Sequence, residues 1–193
     1  MTFVRVGVLA LQGDFREHAA VLERLGAEVR LVRLADDLAE VDALVIPGGE
    51  STAIGKLADW HGLVGPLRER IDAGLPTLGT CAGMIFLAGS TVEGAEQVQL
   101  GVLDVVVRRN AFGRQVDSFE AEIPVVGLED PVHGVFIRAP WIEKVGAGVE
   151  ILAEVDGRPV MVRQGSIIAT SFHPELTADG RLHTLLLDMI REG

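Results

Sequence analysis

Along the first half of the chain the spacing of apolar positions switches back and forth between the two signatures of regular structure. Phe3 to Leu11 is an apolar run carrying Val4, Val6 and Val8, as a buried strand requires. Phe15 to Leu25 then sets Phe15, Ala19, Leu22 and Leu25 at helical spacing before Gly26 stops it. Glu28 to Leu34 predicts a second strand, Asp36 to Glu40 a short helical turn in an acidic connector, and Ala43 to Ile46 a third strand that breaks at Pro47-Gly48-Gly49. A helix is expected from about Thr52 and another over Leu63 to Ala73. A strand follows over Leu75 to Gly79 and a helix start over Ala82 to Leu87. Strands alternating with helices imply a mainly parallel sheet with helices on both faces.

The second half changes rhythm. Leu100 to Arg108, Phe119 to Ile123, Val135 to Ile137, Val149 to Val155, Pro159 to Gln164 and Ser166 to Ser171 are short, β-branched and separated by Gly or Pro. They predict hairpins added to the same sheet or to its edge. Arg181 to Ile190 closes the chain as an amphipathic helix with Leu182, Leu185, Leu186, Met189 and Ile190 on one side. No repeat, linker or low-complexity segment interrupts this order, so a single α/β domain spanning residues 1–193 with an antiparallel extension is expected.

Composition narrows the function classes. The 193 residues are 48% hydrophobic and 23% charged, far from the make-up of a disordered chain. The longest stretch without a polar side chain runs only from Cys81 to Gly89, against about 20 residues for a spanning helix. No secretory leader pattern precedes the first strand, and a cytoplasmic location is the expectation. The net charge of -11 repels phosphate backbones and anionic lipid, which argues against nucleic acid and membrane as partners. Among 17 basic residues only Lys56 and Lys144 are lysine, Asn110 is the sole asparagine, and tyrosine is absent. That bias suits a heat-adapted organism or a GC-rich genome equally. The single cysteine, Cys81, excludes an internal disulfide and a multi-cysteine zinc site.

Three motifs fall at predicted strand ends, where loops and helix N-termini gather in open α/β sheets. Gly79-Thr80-Cys81-Ala82-Gly83 sets a nucleophile between glycines after a strand and before a helix, the elbow that hydrolases build around serine. The helix start favours a thiolate, and the Ala82 amide points where an oxyanion would form. A lone cysteine is otherwise a small buried hydrophobe. His173-Pro174-Glu175 follows an apolar strand. The histidine would serve as general base to Cys81 and the carboxylate would orient the ring, whereas the bland reading is a loop histidine beside a solvated glutamate. His18 and His183 fall on helices, His61 and His133 near turns, none with that strand-end pairing. Pro47-Gly48-Gly49-Glu50-Ser51-Thr52 lets amides converge into an anion nest, with Ser51 or Thr52 capping the next helix and Gly49 offering a second oxyanion donor. It lacks the Gly-Lys-Ser/Thr ending of a phosphate loop.

Together with Met84 and with Ser171-Phe172-His173-Pro174-Glu175-Leu176, these motifs resemble the class I (triad) glutamine amidotransferases. More narrowly, Gly7 to Gly13 (GVLALQG), Arg108 to Gln115 (RRNAFGRQ) and Phe136 to Pro140 (FIRAP) resemble the glutaminase subunits of pyridoxal 5′-phosphate synthases. The resemblance implies a flavodoxin-like class I amidotransferase fold. It implies Cys81, His173 and Glu175 as catalytic residues, and Gly49 and Ala82 as the oxyanion hole. Glutamine contacts would fall at Gly49, Glu50, Ser51, Arg109, Ile137 and Arg138, with Arg109 or Arg138 pairing the α-carboxylate. No cofactor and no metal is called for.

After His173-Pro174-Glu175 only a terminal helix is expected, which leaves no room for an acceptor site. By resemblance that site lies on a synthase partner, a TIM-barrel lyase subunit that makes pyridoxal phosphate from ribose 5-phosphate, glyceraldehyde 3-phosphate and ammonia. In the family the glutaminase works poorly until docked and ammonia travels in a protected channel, which keeps it from protonating to unreactive ammonium. Leu9 to Gly13 and the Phe15 to Leu25 helix are the candidate docking region. Two rivals remain at this level: a stand-alone cysteine hydrolase or peptidase, and a non-catalytic regulatory subunit. Comparing glutamine with peptides as substrates separates the first. Glutamine-protected labelling of Cys81 separates the second.

Overall fold

The computed structural model describes residues 4–92, 97–109 and 118–192. Five strands run parallel, all but the edge strand β2 with nearly continuous burial: β1 (Arg5–Leu9), β2 (Glu28–Val32), β3 (Ala43–Ile46), β4 (Thr77–Thr80) and, late in the chain, β12 (Ile167–Thr170). Two further strands, β10 (Glu150–Val155) and β11 (Arg158–Gln164), extend the β12 edge antiparallel, giving the order β10-β11-β12-β4-β3-β1-β2.

Alternate residues of the central strands feed two separate cores, because successive side chains leave a strand on opposite faces. On β3, Leu44 and Ile46 enter one core while Ala43 and Val45 enter the other. The first core is roofed by α2 (Ala35–Leu38), α3 (Ser51–Trp60), α4 (Val64–Asp72) and α5 (Ala82–Leu87), through Leu38, Ile54, Leu67 and Phe86. The second is covered by α1 (Phe15–Arg24) and α6 (Arg181–Glu192), through Leu22, Leu182 and Leu186. Burying one such leucine contributes roughly 1.5 to 3 kcal/mol, so each helix docks by its apolar stripe.

The antiparallel half departs from the sequence expectation. Of the strands predicted there, only β10, β11 and β12 join the main sheet. Strand β6 (Leu103–Arg108) instead lies between β5 (Ala88–Thr91) and β9 (Trp141–Val145) in a sheet of their own, packed on the first core through Leu103, Val105 and Ile142. Strands β7 (Ser118–Ile123) and β8 (Val132–Ile137) form a separate hairpin over the second core through Ile123 and Phe136. These strands find burial by covering the faces of the main sheet and not by pairing with its edge strands β2 and β10. Strand β9 escapes the sequence pattern because most of its residues are exposed. Among the described residues no helix is long and apolar enough to cross a membrane.

Candidate active site

Strands β3, β4 and β12 end side by side, and the loops leaving them build the site. Cys81 follows β4 immediately and caps α5 with φ 49° and ψ -104°, a left-handed conformation that a residue with a Cβ adopts at a cost. Its N-H is held by the carbonyl of Thr170 on β12 (2.8 Å) and its carbonyl accepts from Ile85 (3.2 Å), so the strain is fixed from both sides. The helix can follow at once only because Gly83 has no side chain: a Cβ there would overlap the carbonyl oxygen of Ile46 at the end of β3. Ala82 thus opens α5 with an amide that has no partner inside the helix.

His173 lies beyond β12, its N-H bonded to Val135 of β8 (2.9 Å), just before the 3-10 turn Pro174–Leu176. The side chain of Cys81 lies close enough to His173 to raise its affinity for a proton. Nδ1 of His173 sits 2.7 Å from Oε1 of Glu175 and 3.4 Å from Oδ2 of Asp14. Cys81, His173 and Glu175 are each less than a tenth exposed. Burial alone would weaken the imidazole as a base, but the thiol and the carboxylate outweigh it and hold His173 up at about 10. Burial pushes Glu175 in the opposite sense, above the usual carboxylate range, partly offset by His173. Asp14 is raised for the same reason, and His173 pulls it back. Asp14, His173 and Glu175 bring donor atoms within 4.8 Å of one another. The ring nitrogen a metal would need is already hydrogen-bonded to Glu175, so the cluster reads as an imidazole held between carboxylates.

The loop after β3 completes the wall. Gly48 packs its backbone against the His173 ring so closely that a Cβ would overlap Cε1. Contrary to the expected Ser51 or Thr52, the cap of α3 is Glu50, whose carboxylate accepts from the amides of Thr52 (2.9 Å) and Ala53 (2.8 Å). A longer side chain one residue earlier reaches two orphan amides at once. Burial acts against ionisation of Glu50, yet these amides and the Arg109 guanidinium, 3.6 Å away, keep it below its ordinary range. Ser51 is buried and directs its hydroxyl to Oε1 of Gln97 (3.3 Å).

A cavity of about 140 Å³ opens over the thiol. It brings together Gly49, Glu50, Ser51, Cys81, Ala82, Arg109, Ile137 and Arg138, the residues singled out in the sequence, and adds Ile85 and Pro140, which were not. Arg138, like Cys81, has positive φ (43°). His173 and Glu175 stand behind the thiol. Asn110 to Gln115 of the subfamily motif lie outside the described residues. Sequence reasoning also missed Asp14, Gln12 and His18. Gln12 accepts from the Glu50 amide (2.7 Å), Asp14 donates its N-H to Gly48 (3.1 Å), and His18 is fully buried near Glu175.

Comparison with known proteins agrees on one family. Residues 8–192 match the family model described as the SNO glutamine amidotransferase family. The chain is 59% identical to a protein named pyridoxal 5′-phosphate synthase subunit PdxT from Frankia alni, covering 100% of this chain and 98% of that one. It is 61% identical to the protein of the same name from Acidothermus cellulolyticus, over 96% and 93% of the two chains. A solved glutamine amidotransferase superposes with a TM-score of 0.93 at 55% identity, covering 96% of this chain and 98% of its own. A chain of the PurLQS structure from Thermotoga maritima, 16% identical with a TM-score of 0.71 over 100% of this chain and 99% of its own, shares the fold.

Proposed function

This chain belongs to the SNO glutamine amidotransferase family, and from that premise we propose that it hydrolyses L-glutamine to L-glutamate and ammonia and passes the ammonia to a synthase subunit that builds pyridoxal 5′-phosphate. The observation that carries the reading is the meeting of Cys81, His173 and Glu175 beside a cavity bordered by Arg109 and Arg138.

The thiolate of Cys81 attacks the side-chain carboxamide carbon, and the oxyanion that forms lies against the amides of Ala82 and Gly49. His173, protonated by its pairing with Cys81 and Glu175, gives its proton to the leaving nitrogen as the C-N bond breaks. Ammonia departs and a thioester remains. Water, deprotonated by the now neutral His173, attacks that thioester and releases glutamate. Glu175 holds the ring through Nδ1 in both half-reactions. The α-carboxylate of glutamine faces a guanidinium from Arg109 or Arg138, and Glu50, kept ionised by its amide cap, offers a counter-charge for the α-ammonium.

The partner in this reading is a TIM-barrel lyase subunit, and the reaction is cytoplasmic, where reducing conditions keep a lone thiol free. The contacts of Gln12 and Asp14 with the Gly48-Glu50 loop support Leu9 to Gly13 and α1 as the region through which docking reaches the site. Charge reversal at Arg16 and Glu17 is expected to weaken stimulation by the synthase, and an unchanged response would count against that placement. Ammonia release from glutamine, with and without the synthase, tests the function itself. Release that depends on Cys81 and rises with partner is expected; release that survives Cys81→Ala would refute the nucleophile.

A further inference from the structure

Glu175 gives one oxygen to His173. The other, Oε2, is buried without a hydrogen bond among the described residues, and the group that faces it is Nε2 of His18, 3.4 Å away. His18 sits on the inner side of α1 with no exposure. Its Nε2 also lies 3.0 Å from Oγ1 of Thr80, the residue before Cys81, and its Nδ1 lies 2.9 Å from Nε2 of His183 on α6. His183 is fully buried too, and its Nδ1 has no partner.

A carboxylate oxygen sealed from water without a donor is expensive, and a neutral imidazole carries one N-H. The two arrangements of ring protons differ in what they leave unmet. With both rings protonated on Nε2, His183 donates to His18, and the Nε2-H of His18 lies between the Thr80 hydroxyl oxygen (3.0 Å) and Oε2 of Glu175 (3.4 Å). In the reverse arrangement His18 accepts from the Thr80 hydroxyl, but Oε2 of Glu175 then has no donor from the ring and the Nδ1-H of His183 is buried unpaired, and a buried N-H without an acceptor is the costlier defect. We propose that His18 is a positioning residue for the reaction: its Nε2-H, set by His183 behind it, holds the second oxygen of Glu175 and keeps that carboxylate ionised and turned to His173.

Burial, then His183 and His173, hold His18 well below its ordinary range, so it stays neutral. Besides His18, the groups facing the His173-Glu175 pair are Cys81 and the half-buried carboxylate of Asp14. On the far side, burial and Arg24 lower His183 to about 4, with Asp179 opposing. The inference rests on the reading of His173 and Glu175 as the acid-base pair of glutamine hydrolysis.

The test is nitrogen NMR of the histidine rings in the full chain, with glutamine turnover in the presence of the synthase as a separate arm. In the unmodified protein the ring proton of His18 is expected on Nε2; finding it on Nδ1 overturns the proposal without any variant. In a folded His18→Leu protein the titration midpoint of His173 is expected to fall by about one pH unit, and kcat by about tenfold or more with KM little changed. His18→Gln, which keeps a donor, should recover most of both. An unmoved His173 titration in His18→Leu, or equal losses in the two variants, would overturn it. Absence of turnover in the unmodified complex would strike the functional reading instead, while the ring measurements still decide the role of His18.

Discussion

His173 and His133 each hold a carboxylate close to Nδ1, Glu175 at 2.7 Å and Glu122 at 2.5 Å, yet they sit in opposite surroundings. The first lies at the buried ends of the parallel strands. The second lies on the β7-β8 hairpin, with Glu120 on its other nitrogen (2.7 Å) and all three side chains in water. Both histidines are raised. In the hairpin the carboxylates do this almost unopposed. In the strand-end site they must first overcome burial, and His183, which burial and Arg24 lower against only the weaker pull of Asp179, shows what happens otherwise by falling to about 4. A His-carboxylate pair is therefore no mark of function in itself. What distinguishes His173 is that its ring is clamped, dry and set beside a thiol.

The largest effect should come from removing the charge on the buried side. Glu175→Gln is expected to cut glutamine turnover by about 10² to 10⁴-fold, because an amide can neither stabilise the imidazolium nor fix its tautomer. Glu122→Gln, the same change on the hairpin, should leave turnover where it was. Steady-state kinetics of both variants with the synthase present checks this, and similar losses in the two would erase the distinction.

A second experiment attacks the scaffold that makes one region rigid. At Gly83 an added methyl meets the backbone of β3, which cannot swing aside as a side chain would. Gly83→Ala should cost about 3 kcal/mol and lower turnover by shifting Cys81, whereas Gly127→Ala, with open space around it but positive φ, should cost less. Urea midpoints of the two proteins decide.

How far the sequence announces this difference depends on the range of the contacts. Strand β3 and helix α5 are found at their predicted limits, since each is set by its own apolar run and by adjacent glycines. Cys81 and His173 could be singled out because the first follows a strand directly and the second comes within three residues of one. The cap at Glu50 was misassigned to its neighbours, as carboxylate reach is not visible in residue preference. His18 and His183 left a faint signal: each lies three and four residues from apolar partners, Val21 and Leu22 or Leu186 and Leu187, on the face that turns inward. What each would touch is set by contacts across most of the chain. The same holds for the strands that left the main sheet, because pairing partners so far apart in sequence carry no local mark.

Smaller still is the cap at the rim of the site. Glu50→Ala frees the amides of Thr52 and Ala53 and should cost about 1 kcal/mol, measured as a lower thermal midpoint. It should also raise KM for glutamine by loosening the loop that carries Gly49 and Arg109's counter-charge, more than it lowers kcat. An unchanged KM would remove Glu50 from the binding wall and leave it a cap alone.

The smallest effect belongs to the exposed pair, and its sign is fixed by linkage. The folded chain binds the His133 proton more tightly than the unfolded chain, chiefly through Glu122 and then Glu120. The stabilisation is therefore complete below the unfolded value of about 6.5 and fades as pH rises through the higher folded value. Because the hairpin side chains stand in water, salt screens it. The midpoint difference between the unmodified chain and His133→Gln should be greatest near pH 5.5 at low salt, shrink toward about pH 9, and close in about 1 M salt. His173 obeys the same sign, but its proton is held to about 10 and shielded from ions, so its share should persist across that range and in salt. A salt-insensitive His133 effect would mean that the hairpin pair is as enclosed as the one behind the thiol.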